Sequence, residues 1–138
     1  MLHHVSIRTA DIFKSMAFYE QLGFQVSDRF TAGYTLACWL VGPGGRLELM
    51  QIPEPKPAPD AFFDEHYVGY YHLSFDIGAD GLCLPDWLAG FREKLGTIGQ
   101  EMQVLLEPQQ QMIGDRVYEV CFLADPDGLA IEVLRVMG

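Results

Sequence analysis

Polar and apolar residues alternate over residues 2–9, which puts His4, Ser6 and Arg8 on one face of a strand and Val5 and Ile7 on the other. The same alternation turns His3 away from His4. Over residues 11–22 the period changes: Ile12, Met16, Tyr19 and the neighbouring Phe18 recur at helical spacing, and Gly23 stands where a helix ends in the left-handed conformation. Three strand-like runs follow at residues 24–31, 34–41 and 46–52, separated by Gly33 and by Gly42-Pro43-Gly44-Gly45. The order then repeats. Residues 70–77 alternate as a strand, residues 84–95 form a helix with Trp87, Leu88, Phe91 and Leu95 on one stripe, and residues 103–106, 117–124 and 129–136 are strands. Asp125-Pro126-Asp127-Gly128 is the turn between the last two. Pro53, Pro55, Pro57 and Pro59 cannot belong to a sheet interior, so residues 53–68 form a linker between the two halves.

The expected fold class is α+β: two tandem βαβββ units, residues 1–52 and 69–138, within a single domain spanning residues 1–138. Neither half has enough apolar face to be stable alone, so the expected arrangement is a curved, partly open mixed sheet. The repeat extends to chemistry. His4-Val5-Ser6-Ile7 is matched by His72-Leu73-Ser74-Phe75, and each is followed by an apolar strand interrupted by one glutamate: Glu48 in Leu47-Glu48-Leu49-Met50 and Glu132 in Ile131-Glu132-Val133-Leu134. A lone carboxylate among branched aliphatics costs several kcal/mol unless it is paired or protonated. Two glutamates, each matched to a histidine, point to a shared cation inside the curve. Two imidazoles and two carboxylates suit Zn, Ni, Co, Mn or Fe(II) rather than Cu(I) or a closed structural zinc.

Composition narrows the partners. The net charge of −10 argues against nucleic acid and favours a neutral, cationic or metal-complexed small molecule. Cys38, Cys83 and Cys121 are odd in number and form no C-x-x-C pair, which fits a reducing, cytoplasmic setting. The longest apolar run, residues 35–41, is too short to cross a bilayer, so no membrane partner is expected. At 138 residues, 49% of them apolar, the chain can bury a core without staples.

Several pieces together resemble the vicinal oxygen chelate superfamily of glyoxalases, bleomycin-resistance proteins and extradiol dioxygenases. They are His4-Val5-Ser6-Ile7-Arg8-Thr9-Ala10-Asp11, Ala17-Phe18-Tyr19-Glu20 with Leu22-Gly23-Phe24, the His72 strand, and Asp125-Pro126-Asp127-Gly128-Leu129-Ala130-Ile131-Glu132. Members similar to glyoxalase I hold a divalent metal at the positions occupied by His4, Glu48, His72 and Glu132. The resemblance implies a lyase or isomerase that chelates vicinal oxygens of a small substrate and shuttles a proton through an enediolate. Glu132 would be the catalytic base, Glu48 would stay a ligand or assist catalysis on the opposite face, and Arg8 would pair with a substrate carboxylate. Ile52 stands where such glyoxalases carry an asparagine for glutathione, and Gln109-Gln110-Gln111-Met112 stands in the loop before the last hairpin without a lysine or arginine, which counts against glutathione as the thiol. It also implies a homodimer.

Two other activities fit the same family pattern. An extradiol dioxygenase would use His4, His72 and Glu132 for Fe(II) or Mn(II), with His66 and Tyr118 as candidate acid and base. A metal-free binding protein of the bleomycin-resistance type would use the acidic charge and the aromatics Tyr34, Trp39, Phe62, Phe63, Tyr67 and Tyr70. Taken alone, His3 and His66 read as hydrogen-bonded structural residues, Asp125 and Asp127 as solvated turn residues, and Met50, Met102 and Met112 as core or pocket lining.

Overall fold

The structure is a computed structural model describing residues 1–137. It divides into two compact units at Pro57/Ala58, within the proline-rich stretch. The first contains β1 (Val5–Thr9), α1 (Ile12–Gln21), β2 (Gln25–Ala32), β3 (Thr35–Gly42) and β4 (Gly45–Gln51). The second contains β5 (Leu73–Asp76), a single 3-10 turn (Gly78–Asp80), α2 (Leu84–Thr97), β6 (Gln103–Ile113), β7 (Arg116–Ala124) and β8 (Ala130–Val136). Each unit has one open four-stranded mixed sheet, in the orders β1-β4-β3-β2 and β5-β8-β7-β6. The first strand of each pairs parallel with the last, and the other pairs are antiparallel. The α+β class and the tandem βαβββ order expected from the pattern are both present.

In the first unit α1 packs across β4, burying Ile12, Met16 and Tyr19 together with Cys38, Leu40, Leu47 and Leu49. Its start is doubly capped. Asp11 Oδ1 accepts from the N–H groups of Phe13 and Lys14 at 3.1 and 3.2 Å, and Gln51 Oε1 accepts from Ile12 N–H at 3.0 Å. Gly23, at φ 101°, ends the segment in a conformation that favours glycine. A second glycine is fixed by close approach: a Cβ on Gly42 would lie 2.3 Å from the buried ring of Phe24. Gly42→Ala is therefore expected to destabilise the protein by about 1–3 kcal/mol, read as a lower urea midpoint, and Phe24→Leu should reduce that penalty.

The second unit buries Leu84, Leu88, Phe91 and Leu95 of α2 against β7 and β8. Its helix start has no side-chain cap at Cys83. Glu119 of β7 acts instead: its Oε1 accepts from Leu84 N–H at 3.2 Å, and its Oε2 takes the Arg135 Nε–H at 2.7 Å.

β6 departs from expectation. It runs through Ile113 rather than ending at residue 106, so Gln109 to Met112 are strand and not loop. The strand lies at the sheet edge and shifts register on either side of Leu106, and an edge strand tolerates Pro108 and a polar run that a central strand would not. β5 is shorter than the alternation suggested, beginning at Leu73. Cys38 and Cys121 are buried and all three cysteines are free; burial raises both buried thiols, Cys121 to about 12, so they pack as small apolar groups.

Candidate active site

Register places the polar residues of each sheet in one lateral row. Ser6 of β1 and Trp39 of β3 both stand opposite Glu48 of β4, while Leu47 and Leu49 on either side turn into the core. The second unit repeats the row: Ser74 of β5 and Phe122 of β7 flank Glu132 of β8. In each row the serine donates to the glutamate, Ser6 Oγ to Glu48 Oε1 at 2.8 Å and Ser74 Oγ to Glu132 Oε1 at 2.6 Å. These hydrogen bonds allow the half-buried carboxylates to sit on an otherwise apolar strand.

The histidines complete the pairs. His4 Nε2 lies 3.6 Å from Glu48 Oε2, and His72 Nε2 lies 3.7 Å from Glu132 Oε1. Both distances exceed a hydrogen bond of about 2.7–3.2 Å. They match the roughly 3.3–3.8 Å between two donors held about 2.0–2.2 Å from one ion at tetrahedral to trigonal angles. Each unit thus presents one nitrogen and one oxygen in a geometry that fits a divalent cation. Among the described residues no three His, Cys, Asp or Glu side chains are gathered into one metal-holding group, so the four expected ligands stand as two pairs.

His3 does not point away from His4 as alternation implied. Both residues precede β1, where the two-residue period does not yet apply, and their Nδ1 atoms are 2.8 Å apart. One of them carries the shared proton; when His4 donates it, the His4 Nε2 lone pair faces Glu48. His3 also packs edge-on against the Trp39 ring, with centroids 5.0 Å apart. Arg46 NH1 donates to the His3 carbonyl at 3.3 Å, and its guanidinium lies 5.8 Å from the centre of the Trp39 ring. His72 differs: its Nδ1 is buried and has no hydrogen-bond partner among the described residues.

The sequence offers Trp39 only as a binding aromatic of the metal-free reading, not as a partner of Glu48. Its indole N–H donates to Glu48 Oε2 at 2.9 Å, and this bond, followed by the Ser6 hydroxyl, holds the Glu48 carboxyl below the ordinary glutamate value against the opposing effect of burial. Because the folded value is depressed, the stability contributed by ionised Glu48 is present above the unfolded value of about 4.3 and disappears as pH falls through the folded one. Metal-free Glu48→Gln should therefore lose less stability than the parent between about pH 5 and 3 in urea titrations. An equal loss in both proteins would contradict this.

Around the second pair the walls are aromatic. The His72 ring lies 4.5 Å from that of Tyr71 and 5.0 Å from that of Phe122, and Phe62 approaches Phe122 at 5.1 Å. Burial, and then the charge of Glu132, raise the Tyr71 phenol, which stays protonated at neutral pH. Arg8 is exposed on the Ser6 face and forms no ion pair among the described residues. His66 is exposed and Tyr118 half-buried, and neither makes a hydrogen bond or ring contact with His72 or Glu132. Asp125 is buried rather than solvated: its Oδ1 accepts from Asp127 and Leu129 N–H, both at 2.9 Å, which closes the turn before β8. Met112 is exposed on the edge strand and lines no core.

Residues 1–84 match the profile of the Glyoxalase/Bleomycin resistance protein/Dioxygenase superfamily. The chain belongs to this superfamily. The matched segment contains His4, Arg8, Glu48 and His72, while Glu132 lies beyond it. Solved superfamily structures share the fold across nearly the whole length. A glyoxalase family protein from Bacillus cereus superposes with a TM-score of 0.68 at 17% identity, covering 99% of this chain and 94% of that one. A glyoxalase family protein from Enterococcus faecalis gives 0.68 at 22% identity, covering 97% and 96%. A glyoxylase/bleomycin resistance protein/dioxygenase domain from Frankia sp. gives 0.66 at 22% identity, covering 99% and 91%. No curated protein matches in sequence. No described helix is long and apolar enough to cross a membrane.

Proposed function

We propose that the protein is a divalent-metal-dependent lyase or isomerase of the glyoxalase I type, acting on a small substrate with oxygens on neighbouring carbons. His4 and Glu48 from one unit and His72 and Glu132 from the other would ligate one ion, within a chain or across a homodimer. The observation that carries this reading is the repeated pair: a histidine nitrogen and a glutamate oxygen 3.6 and 3.7 Å apart at matching positions of the two units. When bound, a divalent ion supplies Lewis-acid polarisation of a substrate carbonyl oxygen. Glu132 takes the proton from the adjacent carbon and returns it to the neighbouring one. Tyr71 and Phe122, in ring contact with His72, exclude water from the reacting carbons. Arg8 pairs with an anionic group of the substrate.

The test is proton exchange in D₂O. The protein, loaded in turn with Ni, Zn, Co, Mn and Fe(II), is incubated with α-hydroxy carbonyl compounds and with hemithioacetals of several thiols, and deuterium incorporation is followed by NMR. Exchange at the carbon beside the carbonyl, absent without metal, supports the reading. Tight binding of small molecules without exchange favours the binding-protein alternative, for which exposed Phe63, Tyr67 and Tyr70 argue. Light scattering tests the homodimer, with a mass of twice 15.5 kDa expected.

A further inference from the structure

The two His-Glu pairs are alike in position and unlike in support. Serine flanks each glutamate on one side, but the residue on the other side differs: Trp39 opposite Glu48, and Phe122 opposite Glu132. Glu48 has both oxygens engaged, Oε1 by Ser6 at 2.8 Å and Oε2 by Trp39 at 2.9 Å. Glu132 accepts from Ser74 at Oε1, while Phe122 brings no polar atom, so Glu132 Oε2 accepts no hydrogen bond among the described residues. The histidines follow the same division. His4 Nδ1 is held by His3, whereas His72 Nδ1 has no hydrogen-bond partner among the described residues.

We infer that Trp39 is a positioning residue: its indole N–H fixes Glu48 as a rigid ligand carboxylate, and the phenylalanine in the matching place leaves Glu132 an oxygen free to carry the proton. The inference rests on the proposed metal site and assigns different work to its two glutamates. A carboxylate gripped at both oxygens can still offer a remaining lone pair to a cation in one fixed orientation, but it cannot rotate to follow a proton between two carbons. A carboxylate gripped at one oxygen can. The second unit also shows that a phenylalanine fits this register position, so Trp39→Phe removes the donor while keeping an aromatic ring opposite the glutamate.

The experiment titrates metal-free parent, Trp39→Phe and Trp87→Phe proteins with ZnCl₂ and CoCl₂ by calorimetry. Trp87 stacks on Phe91 within α2 and serves as the control. In parallel, the two indole N–H resonances of the parent are followed by ¹H–¹⁵N NMR as zinc is added, with Trp87→Phe providing the assignment. The expected results are about tenfold or more weaker metal binding in Trp39→Phe, parental affinity in Trp87→Phe, and a zinc-dependent shift of the Trp39 resonance alone. Equal affinity in a folded Trp39→Phe protein, or a Trp39 resonance unmoved by bound zinc, overturns the inference and leaves the metal site standing. The resonance is read in the parent, so this arm survives even if the variant misfolds. A parent protein that takes up neither ion overturns the metal site and the inference with it.

Discussion

Glu132→Gln is expected to lower turnover by about 10²–10⁴-fold while the variant keeps its fold and at least part of its metal affinity, the range associated with loss of a general base. The amide is nearly isosteric with the carboxylate and can still accept from Ser74 Oγ, which lies 2.6 Å away, so the β5–β8 pairing should persist. The amide cannot take a proton from carbon. Glu48→Gln should act differently, because Glu48 already has both oxygens committed to Ser6 and Trp39 and serves to hold rather than to react. The comparison is made by deuterium incorporation, with metal content measured on the same samples. A Glu132→Gln protein exchanging at the parental rate would remove Glu132 from the role of base.

The largest stability effect is expected away from the site. Glu119→Ala should cost about 2–3 kcal/mol, seen as a lower urea midpoint with unchanged slope. Glu119 is buried, and its carboxylate joins three elements: it belongs to β7, accepts from Leu84 N–H at the start of α2, and pairs with Arg135 of β8 at 2.7 Å. Alanine leaves one helix N–H and a mostly buried guanidinium without their acceptor. The Arg135 side chain keeps 26% of its exposure, so water recovers part of the loss and the upper range for broken buried pairs does not apply. Glu119→Gln, which can still accept from Leu84 N–H, should lie between parent and alanine variant. Equal midpoints for all three would contradict the cap.

The tandem order was legible in the sequence because each unit carries its own period changes, from two to helical spacing and back, with glycine or proline at the junctions. Glu48 and Glu132 stand out in the sequence as candidates because each interrupts an apolar run at a matching place, and His4 and His72 because each precedes the first strand of its unit at a matching place. What escaped lies across strands. Nothing local to Trp39 indicates that β3 stands opposite Glu48 in register, and nothing near Cys83 indicates that a glutamate on β7 caps α2. Ser6 and Ser74 do carry a signal in the sequence, since a serine follows each histidine at the same spacing. His3 lies before β1, where strand alternation does not fix which way a side chain points. Pro108 and the glutamine run hide the second half of β6, because they break the β pattern that an edge position nonetheless accommodates.

Elemental analysis of the gently purified protein tests the proposed four-ligand site, with His4→Ala, His72→Ala and Glu132→Ala variants measured beside it. Near-stoichiometric divalent metal is expected in the parent and a marked loss in each variant, because removing a donor from either unit breaks the proposed site. A parent without metal that takes up none of Ni, Zn, Co, Mn or Fe(II), or variants that retain it fully, would contradict the four-ligand site and shift the function to metal-free binding.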